Sequence, residues 1–263
     1  MRRICIIIPC YNEANRLNVA EFLDGAGRMP DLHFLFVDDG STDGTGEILV
    51  RLSRACPKQI RHLTMERNRG KAEAVRRGFL ESFASGYNVI GYWDADLSTP
   101  LETISRFCEL LEDEGVEGVI GARVLLLGRH IRRRPIRHYL GRVFATCASI
   151  AIGLPVYDTQ CGAKIFRNTG RLRQVFHTPF RVNWTFDVEI LARFLLLERI
   201  FGGPGIRDRF VEYPLERWDD VPGSKLKWRD FLRGAWEILM IAYMFRGPWM
   251  ERRFLATLQD REE

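Results

Sequence analysis

The sequence has no long apolar run. Its most apolar window, at residues 238–245, is eight residues long, whereas a helix that spans a bilayer needs about 20 apolar residues. We therefore expect no transmembrane helix. The segment that begins at Met1 is too short for a signal peptide and leads directly into a polar motif, so we also expect no leader and a cytoplasmic location.

Signatures of zinc, disulfide and dinucleotide chemistry are missing as well. The six cysteines are scattered, without a CxxC pair or zinc-ligand spacing, which indicates reduced cysteines that mostly fill the core. No GxGxxG follows a predicted strand, and the GxxxxGK[ST] pattern of a P-loop is absent. These absences disfavour dinucleotide enzymes and P-loop NTPases.

Acidic residues are absent between Gly118 and Tyr157, although the net charge of the whole chain is only +5. The same stretch contains seven arginines: 123, 129, 132, 133, 134, 137 and 142. A basic block of this kind indicates an anionic partner, which can be a nucleic acid, a membrane surface or a phosphorylated substrate. The alternative is a solvated basic face, and charge alone does not decide between the two.

Short runs rich in Ile, Val and Phe alternate with longer segments of helical spacing. In a chain of 263 residues that is 46% hydrophobic, this alternation predicts a single α/β domain with a mostly parallel sheet and helices on both faces. The predicted strands are 4–8, 34–37, 60–63, 89–93, 116–120, 161–167 and 210–215. The predicted helices are 14–28, 43–55, 70–84, 101–114, 136–152, 186–199, 228–245 and 249–258.

A polar motif follows the first predicted strand, where ligands of such sheets bind. Pro9 fixes the backbone as the chain leaves the sheet. Tyr11 offers a flat face for a base, and Asn12 and Glu13 offer hydrogen-bond partners. The four residues are candidates for binding a nucleotide, although a strand-to-helix turn uses similar residues for structural reasons alone.

Paired carboxylates follow the second predicted strand at Asp38 and Asp39. Two adjacent carboxylates at a strand end are costly unless they have partners. A capped turn explains Asp43, which can begin the next helix, but it does not explain the pair. An Asp at this strand end can accept a hydrogen bond from a pyrimidine ring N–H.

A second pair of carboxylates, Asp94 and Asp96, follows the fourth predicted strand. Carboxylates two residues apart can both approach a hard cation, and Mg²⁺ or Mn²⁺ commonly bridges such ligands to substrate phosphates. Between the two motifs, Gly70 and Lys71 begin a predicted helix and can present N–H groups and an ammonium to an anion.

Four segments, in this order, together resemble the family 2 glycosyltransferases, which have the GT-A (Rossmann-like) fold. They are IIPCYNE at 7–13, VDDGSTDG at 37–44, NRGK at 68–71 and DAD at 94–96. The resemblance implies that uridine of a UDP-sugar is held by side chains of the first two motifs: Pro9, Tyr11, Glu13 and Asp39. It also implies that Asp94 lies at the ribose or sugar, that Asp96 binds Mg²⁺ or Mn²⁺ on the diphosphate, and that Lys71 lies near the nucleotide.

The second half resembles the polyprenyl-phosphate sugar synthases of that family, and most of all the dolichyl-phosphate glucosyltransferases. The matching segments are GAR at 121–123, DTQCGAKIF at 158–166, WTFDVE at 184–189 and GSK at 223–225. This resemblance implies a lipid-phosphate acceptor bound by Arg123, Arg137, Ser224 and Lys225. Planar guanidinium groups suit phosphate because they bond it in a bidentate manner.

The resemblance divides the domain into three predicted parts. Residues 1–121 form the nucleotide-sugar-binding half, 122–245 the acceptor-binding half, and 246–263 a C-terminal helix and tail. The implied reaction is transfer of a hexose, glucose first, with inversion at the anomeric carbon. Asp187 is the acidic residue expected nearest to the acceptor, as a base or a sugar ligand. A helix-start carboxylate is the alternative for Asp187, and Asp158 has the same ambiguity.

The predicted helix 228–245 carries aromatic and aliphatic side chains at helical spacing. These are Trp228, Phe231, Leu232, Trp236, Leu239, Met240 and Tyr243. One interpretation packs this stripe against the sheet. The other lays it on an anionic membrane surface, with Arg229, Arg233 and Arg246 toward the headgroups; the protein would then be peripheral on the cytoplasmic face.

Two other functions stay open at this level. The same fold and donor can serve a polysaccharide, protein or small-glycan acceptor. A protein of another class, a non-catalytic basic module, can bind anionic membrane or nucleic acid through residues 123–142, with salt-sensitive binding and no sugar transfer. That segment has neither the glycine pattern of a helix-turn-helix nor an RNA-binding aromatic signature, so we expect no nucleic-acid partner.

Overall fold

The computed structural model describes residues 3–132, 135–220 and 228–247. Its strands are β1 (Ile4–Cys10), β2 (Leu32–Asp38), β3 (Ile60–Thr64), β4 (Val89–Trp93), β5 (Gly118–Ala122), β6 (His130–Arg132), β7 (Ala163–Arg167), β8 (Phe210–Pro214) and β9 (Arg217–Asp219). Its helices are α1 (Val19–Arg28), α2 (Thr45–Ala55), α3 (Lys71–Ala84), α4 (Thr103–Leu110), α5 (Pro135–Ile152), α6 (Gly170–His177), α7 (Phe186–Phe201), α8 (Ile206–Arg209) and α9 (Trp228–Arg246).

The central sheet has seven strands in the order β3-β2-β1-β4-β7-β5-β8. All of its pairings are parallel except those of β7, which runs antiparallel to β4 and β5. A second, two-stranded sheet joins β6 to β9. The carboxyl ends of β1, β2 and β4 therefore meet at one edge, and antiparallel β7 brings its amino end to the same edge.

Helices cover both faces of the sheet, as the sequence predicts. One apolar cluster packs α3, α5, α6, α7 and α9 against one face, and the other packs α1, α2 and α4 against the opposite face. Gly78 lets α3 approach β1 closely, since a Cβ there would lie 2.5 Å from the side chain of Ile7. The first cluster includes α3 and α7, which begin at Lys71 and Phe186, within two of the segments that carry the resemblance.

The predicted strands and helices of the described residues are all present, with shifted ends. Helix α1 begins at Val19 rather than at residue 14, because the backbone N–H groups of Arg16 and Leu17 bond to the carbonyl of Glu13 in a separate turn and the side chain of Asn18 then caps the helix. Strands β6 and β9 and helices α6 and α8 were not predicted; they are short, at three to eight residues. The predicted helix 249–258 lies outside the described residues.

The packing interpretation of the aromatic stripe on α9 is wrong for most of its described members. Leu232, Trp236, Leu239 and Tyr243 are exposed. The helix packs through a different face, formed by Ile238, Ile241, Met244 and Phe245. Within the described ranges, no helix is both long and apolar enough to span a membrane.

Candidate active site

The loops after β1 and β2 are tied to each other by side chains of both motifs. Asn12 has a positive φ of 53°, which its short polar side chain tolerates. Its backbone N–H donates to Ser41 Oγ at 3.0 Å, and its side-chain oxygen accepts from the backbone of Thr42 at 2.9 Å. Glu13 N donates to Thr45 Oγ1 at 2.8 Å. These hydrogen bonds fix the turn that contains Tyr11, whose ring is exposed.

Glu13 is buried and has a partner that the sequence did not indicate. Its two carboxylate oxygens accept from Nε and Nη2 of Arg16, at 2.8 and 2.5 Å. The hydrogen bonds that Arg16 donates to Glu13 raise the pKa of Arg16, and the charges of Asp96 and Asp94 add to that rise. Arg16 therefore brings a permanent positive charge to the neighbourhood of the DAD motif. Its spacing of three residues from Glu13 in a turn is the only signal that could have shown it.

Both aspartates at the end of β2 have backbone partners. Asp38 Oδ1 accepts from Ser41 N at 2.9 Å, which closes the turn. Asp39 accepts from the N–H groups of Arg69 at 2.7 Å and Gly70 at 2.8 Å. Burial raises the pKa of Asp39, and these two N–H groups oppose the rise. The Asp39 carboxylate is thus the anion that binds the N–H groups at the start of α3. This contact fixes the position of Lys71, the next residue.

Lys71 and Asp94 form an ion pair, with 2.5 Å between Nζ and Oδ1. Desolvation lowers the pKa of Lys71, but Asp94, Asp187 and Asp96 together raise it above its ordinary value. The ammonium also lies 6.0 Å from the ring centroid of Phe186. About 40% of each side chain of the pair is exposed, so a ligand can reach both groups and their pairing adds little stability.

Asp94 also contacts the second half of the chain. Its backbone N–H donates to Gly162 O at 3.0 Å. A Cβ on residue 162 would overlap the Asp94 carboxylate. Gly162 belongs to the DTQCG segment, so the structure brings this acceptor-type segment into direct contact with the DAD motif.

Asp96 lies half-buried at the same strand end. Burial raises its pKa, as does the nearby charge of Asp94, whereas the hydrogen bond from Ser98 N, at 3.1 Å, lowers it. Leu97 between them has a positive φ of 52°. This conformation is strained for a bulky residue, and such strain is concentrated at functional sites.

The oxygen ligands of Asp94 and Asp96 fit Mg²⁺ or Mn²⁺, which prefer carboxylates and phosphates. Within the described ranges, no group of three or more His, Cys, Asp and Glu side chains is arranged to hold a metal. A cation at the DAD motif would therefore need further ligands from donor phosphates and water. This is the ordinary arrangement for magnesium at nucleotide sites.

Asp187 is buried at the start of α7 in a cluster that joins three elements. Tyr92 of β4 donates its hydroxyl to Asp187 Oδ1, and Lys164 of β7 donates its ammonium to the same oxygen. Lys164 also donates to the Cys161 carbonyl at 2.5 Å. Asp187 lies in the first turn of α7, as the alternative of a helix-start carboxylate expects, and in addition it has partners from the sheet. Lys164 and Tyr92 are site residues that the sequence reasoning did not single out.

Arg123, at the end of β5, is held by Asp158. Nε and Nη2 of the guanidinium donate to the two carboxylate oxygens at 2.6 and 2.8 Å, and Arg123 N adds a third bond at 3.1 Å. Asp158 raises the pKa of Arg123 against the effect of desolvation. The guanidinium also lies 5.4 Å from the ring centroid of Trp218. Asp158 therefore has a structural partner, which its sequence position did not indicate.

The other predicted phosphate-binding residues are described only in part. Arg137 lies on α5, and its side chain is outside the described set; Ser224 and Lys225 lie outside the described residues altogether. The structure does bring the donor-side candidates together at the carboxyl edge of the sheet. It connects them to the acceptor-type segment through Asp94 and Gly162. The assigned roles of these residues stay predictions.

Comparison with known proteins shows which family has this arrangement. Residues 5–191 match the family described as Glycosyl transferase family 2. A dolichyl-phosphate beta-glucosyltransferase of Trichomonas vaginalis is 31% identical over 257 residues, which cover 92% of this chain and 72% of the relative. Its counterpart in Dictyostelium discoideum is 32% identical, over 94% and 76% of the two chains. A polyprenol monophosphomannose synthase of Mycolicibacterium smegmatis is 32% identical, over 63% and 62%.

Solved structures share the fold at lower sequence identity. Glucosyl-3-phosphoglycerate synthase of Mycobacterium tuberculosis, in complex with Mn²⁺ and UDP-glucose, matches with a TM-score of 0.65 at 16% identity over 93% of this chain and 79% of that one. A mannosyltransferase of Pyrobaculum calidifontis, in complex with GDP-mannose and Mn²⁺, matches with a TM-score of 0.55 at 18% identity over 99% and 80%. Family match, relatives and fold agree: this chain belongs to glycosyl transferase family 2 and is a glycosyltransferase of the GT-A fold.

Proposed function

We propose that this enzyme transfers a hexose, glucose first, from a UDP-sugar to the phosphate of a polyprenol or dolichol. The observation that carries the proposal is the contact between Asp94 of the DAD motif and Gly162 of the DTQCG segment. It brings the predicted sugar end of the donor site next to a segment that resembles those of lipid-phosphate sugar synthases. Relatives named as dolichyl-phosphate glucosyltransferases support the same acceptor class.

The donor would lie across the carboxyl ends of β1, β2 and β4. The exposed ring of Tyr11 is available for a base to stack on. The Asp39 carboxylate already accepts two N–H groups, so a uracil N–H would be a third donor to it. We assign Arg16 to the diphosphate, because it is half-buried and positively charged beside Asp94 and Asp96.

The leaving group would be stabilised by positive charge at one end of the site. A divalent cation held by Asp94 and Asp96 would supply electrostatic neutralisation of the diphosphate. Lys71 lies beside the same carboxylates and is kept protonated by them. In our proposal the Lys71 ammonium leaves Asp94 and binds a phosphate oxygen of the donor when the donor binds.

The nucleophile would be an oxygen of the acceptor phosphate. It forms a bond to the anomeric carbon from the face opposite to UDP, the bond between that carbon and the UDP oxygen breaks with its electron pair, and the sugar inverts. A phosphate monoester has a second pKa near about 6, so the attacking oxygen carries no proton at neutral pH and needs no general base. Asp187, held by Tyr92 and Lys164, would then be a sugar or positioning ligand.

The acceptor phosphate would bind at the end of β5, beside Arg123. Asp158 fixes two nitrogens of that guanidinium and thereby its plane. The loop of Asp158 is fixed in turn by Glu212 of β8, which accepts from the backbone of Tyr157 and Asp158 at 2.8 and 3.0 Å. A rigid, oriented guanidinium is suited to select a phosphate over a neutral acceptor.

Exposed apolar side chains on two packed helices support the proposal that the enzyme acts at a membrane surface. On α9 the exposed set is Leu232, Trp236, Leu239 and Tyr243, and on α5 it is Tyr139, Leu140, Val143 and Ile150. Helices α5 and α9 pack against each other. Aromatic and aliphatic stripes of this kind suit the interface of a bilayer, where a polyprenyl phosphate resides.

UDP release across a panel of nucleotide sugars, with and without polyprenyl phosphate in vesicles, tests this function. We expect acceptor-dependent UDP release, strongest with UDP-glucose, and a glycolipid product. Glucose, maltose and a peptide at equal concentration serve as competing acceptors. Equal or faster transfer to one of these would contradict the lipid-phosphate acceptor while leaving the glycosyltransferase in place.

A further inference from the structure

Three consecutive leucines are exposed in the segment between β5 and β6. The exposed fractions are 54% for Leu125, 48% for Leu126 and 104% for Leu127. Single exposed leucines are common on protein surfaces and need no explanation. Three in succession, with the last one fully exposed, leave an apolar tip in water.

The tip belongs to a segment with defined geometry. Val124 N donates to Ala122 O at 3.0 Å at one end, and Arg129 N donates to Leu126 O at 3.1 Å across the turn. Gly128 supplies the positive φ of 80° that this turn requires. The other end continues into β6, where His130 N donates to Glu216 O at 2.8 Å. The leucines are therefore held outward by a turn that both adjoining elements fix.

The tip lies in a stretch of the sequence that is rich in arginine. Arg129 pairs with Glu216 at 2.9 Å, whereas Arg132 is 84% exposed and lies 3.8 Å from Asp219, which Arg217 also engages. The acid-free stretch of sequence continues through 133, 134 and 137, all of them arginine. The described charges beside the tip are mixed, because Glu216, Asp219 and Asp220 lie next to Arg129 and Arg132. The excess of basic residues belongs to the acid-free stretch as a whole, and this excess complements an anionic surface.

We propose that Leu125, Leu126 and Leu127 form a membrane-insertion tip, which enters the apolar layer of an anionic bilayer while the flanking arginines remain at the headgroups. A protruding tip without a matching concavity fits a fluid phase, because lipid chains can close around it. A second copy or a protein partner would instead need a complementary pocket. The bilayer is therefore the occupant that the shape and the charge favour.

This tip would set the orientation of the active site. Leu125 follows Arg123 by two residues in sequence, and Arg123 is fixed at the sheet edge by Asp158. Insertion of the tip would thus place the proposed phosphate site at headgroup level. The inference goes beyond the transfer reaction, and it can be tested with vesicles that contain neither polyprenyl phosphate nor nucleotide sugar.

Flotation with vesicles of zwitterionic and anionic phospholipids is the first test. Replacement of the three leucines by glutamine (L125Q, L126Q and L127Q together) should lower the vesicle partition coefficient about tenfold or more, because burial of leucine side chains is lost. The matched control is Phe201→Gln, which removes an exposed apolar side chain at the end of α7 and should leave partition unchanged. Unchanged partition of the triple variant, or no flotation of the wild type, would overturn the proposal.

Depth of insertion gives a second readout that does not rely on loss of binding. Leu127→Trp should add to the emission of the six native tryptophans a component, obtained as the difference from the wild-type signal, that shifts to the blue on anionic vesicles and is quenched by brominated acyl chains. If the protein floats but this indole stays quenched only by aqueous iodide, another surface makes the contact and the tip does not insert. If the triple substitution changes the molecular mass measured by light scattering but leaves flotation unchanged, the tip binds a protein and the proposal is wrong. Failure of sugar transfer in a separate assay would leave all of these outcomes unaffected.

Discussion

Gly162 lies against the carboxylate of Asp94, so closely that any side chain at position 162 would occupy the same space. One residue belongs to the turn that leads into β7 and the other follows β4, and these strands are antiparallel neighbours. The contact arises because β7 alone reverses direction in the central sheet. This reversal brings the start of an acceptor-type segment to the edge where the parallel strands end.

Replacement of Gly162 by alanine should therefore disturb Asp94 and little else. We expect a fall of about 100-fold in kcat/KM, because displacement of a reacting group by about 1 Å has an effect of that size. The folded state should persist, since the Asp94 side chain is half exposed and can move. Steady-state kinetics and thermal unfolding check this. Gly27→Ala, at a helix position with open space around the new Cβ, is the matched control, and equal kinetics of the two variants would show that Asp94 needs no fixed position.

Removal of the Asp96 carboxylate tests the metal role. Asp96→Asn should reduce transfer about 100- to 1000-fold, the effect of losing one electrostatic stabiliser of the transition state, while the far-UV spectrum is retained. Excess chelator should inactivate the wild-type enzyme, and Mg²⁺ or Mn²⁺ should restore it. Glu114→Gln, at an exposed carboxylate away from the sheet edge, should be active. Full activity of the wild type in chelator would exclude an essential divalent cation.

The buried pair of Lys164 and Asp187 offers a test of stability. Lys164→Met leaves the Asp187 carboxylate buried with only Tyr92 as its partner in this cluster, and breaking a buried pair in this way costs ~3–5 kcal/mol of unfolding free energy. Asp187→Asn should also lower the unfolding free energy, because it leaves the Lys164 ammonium buried without its carboxylate partner. The double variant should recover much of the loss, since neither charge remains.

Denaturant unfolding of the four proteins in this cycle measures the coupling. A double variant that loses as much as the sum of the single variants would show that the two side chains do not act as a pair. Activity provides a separate readout. If Asp187 is a sugar ligand, the double variant should recover unfolding free energy but should not recover sugar transfer.

The alternation of apolar runs and helical segments was enough to predict the order of the main elements, and the positions of the polar motifs after strands were enough to predict that these motifs meet at one edge of the sheet. Strands β1, β2, β4 and β5 form where apolar runs are buried on both faces of the sheet, whereas the edge strand β3 buries only Ile60. The antiparallel direction of β7 could not be predicted, since direction depends on which neighbours a strand pairs with. Periodicity along the chain is the same either way.

Side-chain partners far apart in sequence were also beyond the reach of pattern reasoning. Asp39 bonds to the backbone of residues 69 and 70, and Arg123 bonds to Asp158. Asp39 was predicted as a ligand-binding group, and Asp158 was left open between such a role and a helix-start carboxylate. The structure gives each of them a protein partner that is distant in sequence. A buried carboxylate needs hydrogen-bond partners even before a ligand binds. Short-range sequence patterns do not show which residues those partners are.

The last prediction concerns how Arg123 recognises the acceptor. Arg123→Lys keeps the positive charge but cannot make the two parallel bonds to Asp158 or a planar contact with phosphate. The apparent KM for polyprenyl phosphate should rise about tenfold, the effect of about one charge-assisted hydrogen bond, and the KM for the UDP-sugar should stay the same. Arg171→Lys, at an exposed arginine that bonds to the carbonyls of Gly202 and Pro204, is the control and should change neither constant. A rise confined to the UDP-sugar KM would assign Arg123 to the donor site, and it would mean that the first arginine of the acid-free stretch binds the nucleotide sugar.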